Sequence, residues 1–376
     1  MHIKYITNVR IPTPRAQGYA IMKMCSEFSK LGFKVELFVP DRKNMEKDNN
    51  PFDFYKIENN FNIKKIPSFD FLGKTLKFGR VFYWIDILSF LVASKFKIKI
   101  NKNDILYTRD YLTLLFFSKK NFIIFEVHNI PVADFLFKRV IKKPRLFFVL
   151  NNNLKKELIN RGVSSEKIFI SPSGVDIKKF DIDLSKDEAR EKLGLPLEKE
   201  IVLYSGQLYS WKGADTLAEA AKLLPEVAFV FIGGVRPEFD QFKEKYSSKN
   251  IIIRPFQKRE IVPIYLKSAD VLVVPNSGKE KIGASYTSPL KLFEYMASKR
   301  PIVASNLPSI REAVNKDVCF FAEADNPESF VEVIKKVLSD KEFSLKTIEK
   351  AFEYVQKFSW EIRVQNIVKE IKNKII

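Results

Sequence analysis

"EIVLYSGQLYSWKGADTL", Glu200–Leu217, opens with an apolar run, breaks at Ser205–Gly206, and starts a helix near Ala214 after Lys212–Gly213. A strand that is apolar throughout and leads into a helix belongs to a parallel sheet covered on both faces. The pattern repeats downstream in "AFVFIGG", "NIIIRPF", "DVLVVPN", "RPIVAS" and "VCFFAE", and upstream in "HIKYITN", "KVELFVP", "NIKKIP", "DILYTR", "FIIFEVH", "RLFFVLN" and "KIFISPS". Helical patterns separate these runs, among them Ala20–Leu31, Val81–Phe96, Ala133–Lys142, Ala214–Leu224 and Pro289–Ser298. Two such series predict an α/β protein of two Rossmann-like domains. The polar, acidic, turn-rich stretch Gly174–Glu200 separates them.

Composition agrees with that reading. The chain has 376 residues, 46% hydrophobic and 29% charged, which describes a globular protein too long for one ordinary core. Cys25 and Cys319 lie far apart in apolar surroundings, so both are expected to be reduced core residues with no metal spacing. "MHIKYITNV" reads as a strand and not as a signal peptide, and no run reaches the ~18–20 apolar residues of a membrane span. The cytoplasm is the default compartment. The net charge of +19 is uneven: residues 1–180 hold 33 Lys+Arg against 16 Asp+Glu, and the remainder hold 31 against 29. A basic first half attracts anionic partners such as nucleic acid, an anionic membrane or a phosphorylated acceptor. A Lys-rich solubility bias is the plainer account, and it predicts an even spread.

Doubly wound sheets bind ligands beyond the carboxyl ends of their strands, so the informative residues follow each strand. Gly18, before the second half of "IPTPRAQGYAIMKMC", suits either a plain turn or close approach of a ligand to a helix start. Arg109 follows "DILYT", and His128 and Asn129 follow "FIIFEV". A lone histidine is as well explained by structure as by chemistry. Gly206 ends its strand, and Lys212 stands at a helix start, where its charge opposes the macrodipole unless an anion is bound there. In "TSPLKLFEYMASKRPIVAS", Thr287–Ser305, Ser288 is a good N-cap and Pro289 suits the first helical position. The helical wheel places Leu290, Phe293, Met296 and Ala297 on a buried stripe, with Glu294 at its edge beside Lys291 and Ser298. Glu294 is then either a half-exposed surface carboxylate or a ligand for a sugar diol such as that of ribose.

Three blocks, "GQLYSWKGADTL", "VLVVPN" and "SPLKLFEYMASKRPIVAS", resemble the nucleotide-binding domain of retaining glycosyltransferases of the GT-B fold, family 4 (glycosyl transferases group 1). "IPSFD", "YTRD", "FEVHN" and "ISPSGVD" resemble their N-terminal domain, and "FSWEIRVQNI" their closing helix. The resemblance implies two Rossmann-like domains facing each other across a cleft. An acceptor-binding domain would span 1–175, with helix 360–376 packed back on it, and a nucleotide-sugar domain would span 176–359. It implies a UDP- or GDP-linked sugar as donor substrate, a glycan or lipid-linked acceptor, retention of configuration, no metal and no resident cofactor. Carried over by position, Glu294 holds the ribose and Lys212 faces the phosphates. Tyr286, Thr287, Ser288, Pro289 and Leu290 line the donor with Gly206 and Gly18. His128 contacts the transferred sugar, with Arg109 and Asn129 near it or the acceptor. Two positions depart from the pattern. Many members carry glutamate where this chain has Tyr286, which leaves the sugar open, and arginine where it has Gln207. Asp181–Asp183 falls in the connecting stretch and reads as a chance D-x-D.

The leading expectation is therefore a cytoplasmic glycosyltransferase of cell-surface polysaccharide or glycoconjugate synthesis, peripheral on the inner face of the cytoplasmic membrane. The alternative is a non-catalytic nucleotide- or glycan-binding member that supports an active partner. Nucleic acid is not expected as a partner, because no stacking pattern of aromatics accompanies the basic residues. Base, sugar, linkage and oligomeric state are left open.

Overall fold

The computed structural model describes residues 1–43, 49–71, 79–131, 134–286 and 290–375. The chain divides into two units, Met1–Ser171 with Trp360–Ile376, and Pro172–Ser359.

The first unit is built on seven strands: β1 (His2–Ile6), β2 (Lys34–Asp41), β3 (Asn62–Pro67), β4 (Asp104–Thr108), β5 (Phe122–Val127), β6 (Leu146–Val149) and β7 (Ile168–Ile170). They pair in parallel in the order β3-β2-β1-β4-β5-β6-β7. β4 and β6 are buried along their whole length, which is why these runs are apolar without alternation. Helix Ala16–Lys30 covers the sheet, and the C-terminal helix Trp360–Ile375 packs on that helix.

The second unit has six strands: β8 (Ile201–Ser205), β9 (Ala228–Ile232), β10 (Ile251–Arg254), β11 (Val271–Val274), β12 (Ile302–Ser305) and β13 (Phe320–Ala322). Their parallel order is β10-β9-β8-β11-β12-β13. One apolar cluster fills each side of the sheet. Leu203, Val230, Leu272 and Phe293 belong to one, and Val202, Phe229, Val273 and Leu217 to the other. Each such side chain, once fully buried, contributes about 1.5–3 kcal/mol. Every one of these thirteen strands falls on a run read as a strand from sequence.

Two local expectations need correction. Helix Ala16–Lys30 starts before Gly18, so this glycine lies inside the helix. The space over its Cα is filled by Thr13 and Tyr55 of the same unit, with Tyr55 Oη 2.3 Å from where a Cβ would stand, and not by room for a ligand. Gly174–Glu200 is no bare connector. It contains helix Lys186–Leu193, closed by a capping box between Ser185 and Glu188 and by Gly194 in the left-handed conformation. Arg190 of that helix is buried and donates to the Ser268, Leu197 and Lys199 carbonyls and to Asp270, locking the stretch to the second unit. Cys25 and Cys319 are buried free thiols, as read from sequence. Among the described residues, no helix is long and apolar enough to cross a membrane.

Candidate functional site

In the second sheet the strand order reverses between β8 and β11, and a reversal of this kind opens a crevice beyond the carboxyl ends of the strands. Two glycines shape what lies there. Gly206, immediately after β8, has φ +153°, and a Cβ on it would stand 2.6 Å from Lys291 Nζ. Gly213 has φ +70°, and a Cβ on it would stand 1.7 Å from the Pro275 carbonyl oxygen. Only glycine lets the segment after the short turn Ser210–Lys212 pass so close to the end of β11. Lys212 thus ends a 3-10 turn, and Gly213 separates it from helix Ala214–Lys222, which starts where sequence placed it.

Helix Leu290–Ala297 is tied to the same edge, since the Tyr295 hydroxyl accepts from the Ser205 amide at 2.8 Å. The expected one-sided stripe on this helix is not what folds. Lys291, Leu292, Phe293, Tyr295, Met296 and Ala297 are all buried. Glu294 is nearly so, its side chain 12% exposed, and Arg259 Nη2 donates to its Oε1 at 3.1 Å. Lys291 Nζ stands 3.9 Å from the centre of the Tyr204 ring and has no hydrogen-bond partner among the described residues. Burial holds its pKa well below the usual lysine range, the charge of Lys212 lowers it further, and Glu294 opposes both. Lys212 Nζ lies 3.8 Å from the centre of the Trp211 ring, and burial brings its pKa down to about 8. Gln207 Oε1, both amide atoms of Asn276 and Ser305 Oγ are also buried without a hydrogen-bond partner. These residues follow or end β8, β11 and β12, which are neighbours in the sheet. Folded proteins leave few buried polar atoms unsatisfied, so their collection at one edge is the pattern of a polar ligand site.

The first unit holds a charge cluster of another kind. Ile6 stands opposite Thr108, and Thr108 opposite Phe125, so β1 and β4 end level and β5 runs two residues further. This register sets Arg109 beside Glu126. The Glu126 carboxylate is wholly buried and accepts from Tyr107 Oη at 2.5 Å, Arg109 Nη2 at 2.9 Å and Arg363 Nη2 at 2.8 Å. Burial alone would raise its pKa, but Arg109 and Arg363 outweigh burial and hold it well below the usual range. An ionised carboxylate only accepts, so His128 Nε2, 2.8 Å from Glu126 Oε1, carries the hydrogen. Burial and then Arg109 lower the His128 pKa against the pull of Glu126, so the ring is neutral near pH 7. Its Nδ1 is left as an acceptor on a side chain that is 35% exposed.

The positions singled out from sequence fall into distinct groups. Gly206, Lys212, Leu290 and Glu294 all belong to the strand-end edge of the second unit. Tyr286 ends the π-helical turn Ile282–Tyr286, and Thr287, Ser288 and Pro289 lie outside the described residues. His128 and the exposed Asn129 follow β5 in the first unit. Arg109, expected at a sugar or acceptor, is committed to Glu126, with its side chain only 10% exposed. Asp181 of the D-x-D pairs with Lys299 at 2.8 Å, a structural contact. Sequence reading missed Glu126, Arg259, Lys291 and Arg363 as members of these clusters. Glu126 had left a signal, being a carboxylate inside the otherwise apolar "FIIFEV".

Residues 185–354 match the family described as glycosyl transferases group 1. The second unit is a group 1 glycosyltransferase domain. Among curated relatives, a D-inositol 3-phosphate glycosyltransferase of Corynebacterium urealyticum is 24% identical over 270 residues, 66% of this chain and 62% of that protein. A UDP-Gal:alpha-D-GlcNAc-diphosphoundecaprenol alpha-1,3-galactosyltransferase of Escherichia coli is 28% identical over 192 residues, 48% of this chain and 47% of that protein. The matches to the first of these relatives thus span about half to three fifths of their length. Sucrose-phosphate synthase from Thermosynechococcus elongatus superposes with a TM-score of 0.79 at 17% identity, covering 100% of this chain and 99% of that one. Anabaena HepE, solved in complex with UDP and glucose, gives 0.74 at 15% identity over 98% and 99%. The fold of this chain is GT-B.

Proposed function

We propose that the chain is a retaining glycosyltransferase that moves a sugar from a nucleoside-diphosphate sugar to a glycan or lipid-linked acceptor of cell-surface polysaccharide or glycoconjugate synthesis. The observation that carries this reading is the gathering of Lys212 and Glu294, 82 positions apart by their numbers, around one strand-end edge of a group 1 domain, where both act on the charge of Lys291. Glu294, held by Arg259, accepts from the two ribose hydroxyls. Lys212 meets the diphosphate, and His128 Nδ1 accepts from a hydroxyl of the transferred sugar. The departing diphosphate assists attack of the acceptor from its own face, so that configuration is kept. The donor is UDP- or GDP-linked, and the residues need neither a metal nor a resident cofactor. Two of the relatives above are named for glycosyl transfer, and HepE was solved with UDP, which supports the reading. The test is a thermal-shift panel of UDP, GDP and ADP followed by donor-hydrolysis assays with the matching sugars. A nucleotide at ~100 times its dissociation constant adds about 2.7 kcal/mol. Binding without any sugar release or transfer would support the non-catalytic alternative.

A second observation favours an acceptor at a membrane surface. Helix Gly79–Lys97 leaves Val81, Ile85, Leu88, Val92 and Phe96 exposed, three or four residues apart and therefore on one face, with exposed Trp84 beside Ile85. Exposed Lys95, Lys97 and Lys99 follow. An apolar face with lysines beside it suits an anionic leaflet, where each basic residue contributes about 1 kcal/mol. Sedimentation with anionic liposomes at low salt, release by salt and loss in a Trp84→Ser/Phe96→Ser variant are expected. Equal and poor binding to anionic and neutral liposomes would remove the membrane from the proposal.

A further inference from the structure

Lys291 is a lysine without a reason to be where it is. Its side chain is buried at 8% exposure, on the second residue of helix Leu290–Ala297, and Nζ has no hydrogen-bond partner among the described residues. Burying an ammonium without an anion is costly, and a fold that needed only volume here would use methionine or leucine. The charge is aimed at a particular place. It lies over the ring of Tyr204, which is on β8 two residues before Gly206, and Nζ stands 2.6 Å from where a Cβ on Gly206 would be. That point is the end of β8, beside the reversal of strand order. The Gln207 side-chain oxygen next to it is buried and unpartnered as well. Lys212 acts on Lys291 as a like charge and Glu294, itself paired with Arg259, as an opposite one, so two cations share one neighbourhood with a carboxylate already engaged elsewhere. Like charges destabilise each other unless an anion lies near both.

We propose that Lys291 is a second phosphate-binding residue of the donor site, its Nζ contacting the diphosphate of the nucleotide together with Lys212. The assignment rests on the donor-site reading above and adds to it a residue and a charge state. Burial and the Lys212 charge lower the Lys291 pKa, burial brings that of Lys212 down to about 8, and a bound diphosphate acts against both shifts. Phosphate binding at this edge is therefore accompanied by proton uptake.

The test uses the full chain, with UDP, GDP and ADP to find the base accepted, and uridine, guanosine or adenosine and inorganic pyrophosphate as probes. Lys291→Met keeps the length and the burial of the side chain and removes the charge. Its affinity for the accepted nucleoside diphosphate and for pyrophosphate is expected to fall about tenfold or more, the range of a charge-assisted hydrogen bond. Affinity for the free nucleoside is expected to stay within about twofold, and the melting temperature of the ligand-free variant to equal or exceed that of the parent. Lys291→Gln serves as the second variant if methionine does not fold. A variant that binds diphosphate as tightly as the parent, or that loses nucleoside and diphosphate alike, overturns the assignment while leaving the donor site in place. A parent chain that binds no nucleoside diphosphate and no pyrophosphate overturns both.

Discussion

Glu126 in the first unit and Lys291 in the second are both buried charges at the carboxyl edge of a parallel sheet, and they are treated in opposite ways. Glu126 is satisfied from every side by Tyr107, Arg109, His128 and Arg363. Lys291 has an aromatic face and a glycine, with Lys212 as a like charge nearby. The first arrangement is complete as folded: it fixes a strand end, orients a histidine and anchors the C-terminal helix. The second has Glu294 as an opposing charge but no hydrogen-bonded partner for Lys291 among the described residues, and the chemistry that would supply one is that of an anion. Completeness separates a charge that builds a site from a charge that binds at one.

The largest effect is expected from breaking the completed cluster. Glu126→Ala leaves Arg109 and Arg363 buried without their shared carboxylate, and should cost about 3–5 kcal/mol in chemical denaturation. A loss under about 1 kcal/mol would mean that the cluster is not a structural hub. Removing charge from the incomplete cluster should do the reverse, weakening binding and sparing stability. Glu294→Ala should lower nucleotide affinity by about 1.5–3 kcal/mol in calorimetry. Its pair with Arg259 is partly solvated, so the fold should lose no more than about 1 kcal/mol. Unchanged nucleotide affinity in the folded variant would detach Glu294 from the ribose.

His128 belongs to the first cluster by its Nε2 and to the chemistry by its Nδ1. His128→Ala should lower turnover about tenfold, the worth of one hydrogen bond, with nucleoside diphosphate affinity unchanged. A variant with normal turnover would make His128 a structural partner of Glu126 alone. The smallest effect concerns pH. Because the Lys212 pKa is about 8 in the folded chain, against the usual lysine value when unfolded, the unfolded state holds more protons between these values. Stability of the ligand-free chain should therefore rise slightly with pH over that window, while nucleoside diphosphate affinity falls as the ammonium is lost. Flat profiles above pH 8 in both would contradict the buried cation.

The strands were legible in the sequence because a buried parallel strand must be apolar along its whole length, and each of the runs flanked by helices met that demand. Gly206 at a strand end and Lys212–Gly213 before a helix pointed to the strand-end edge of the second sheet for the same local reason. What sequence could not show was partnership over distance. Arg109 and His128 looked equally free after their strands, yet Arg109 is spent on Glu126. Part of that cluster comes from Arg363, 237 positions further along the chain than Glu126. Gly18 looked like an opening and is filled by Tyr55, from a helix that the local pattern does not connect to it. Lys291 was misread because helical periodicity assumes one wet face. Helix Leu290–Ala297 has almost none, being packed between the core and the strand ends.

The central claim is that the edge of β8 and β11 in the second unit waits for a diphosphate. It is tested most directly by calorimetric titration of the full chain with UDP, GDP and ADP near pH 8, each in two buffers of different ionisation enthalpy. One nucleotide should bind, with a heat that differs between buffers through proton uptake at Lys212, whose pKa of about 8 leaves it part-deprotonated at this pH. Binding with identical heats in both buffers, or no binding by any of the three, would contradict it.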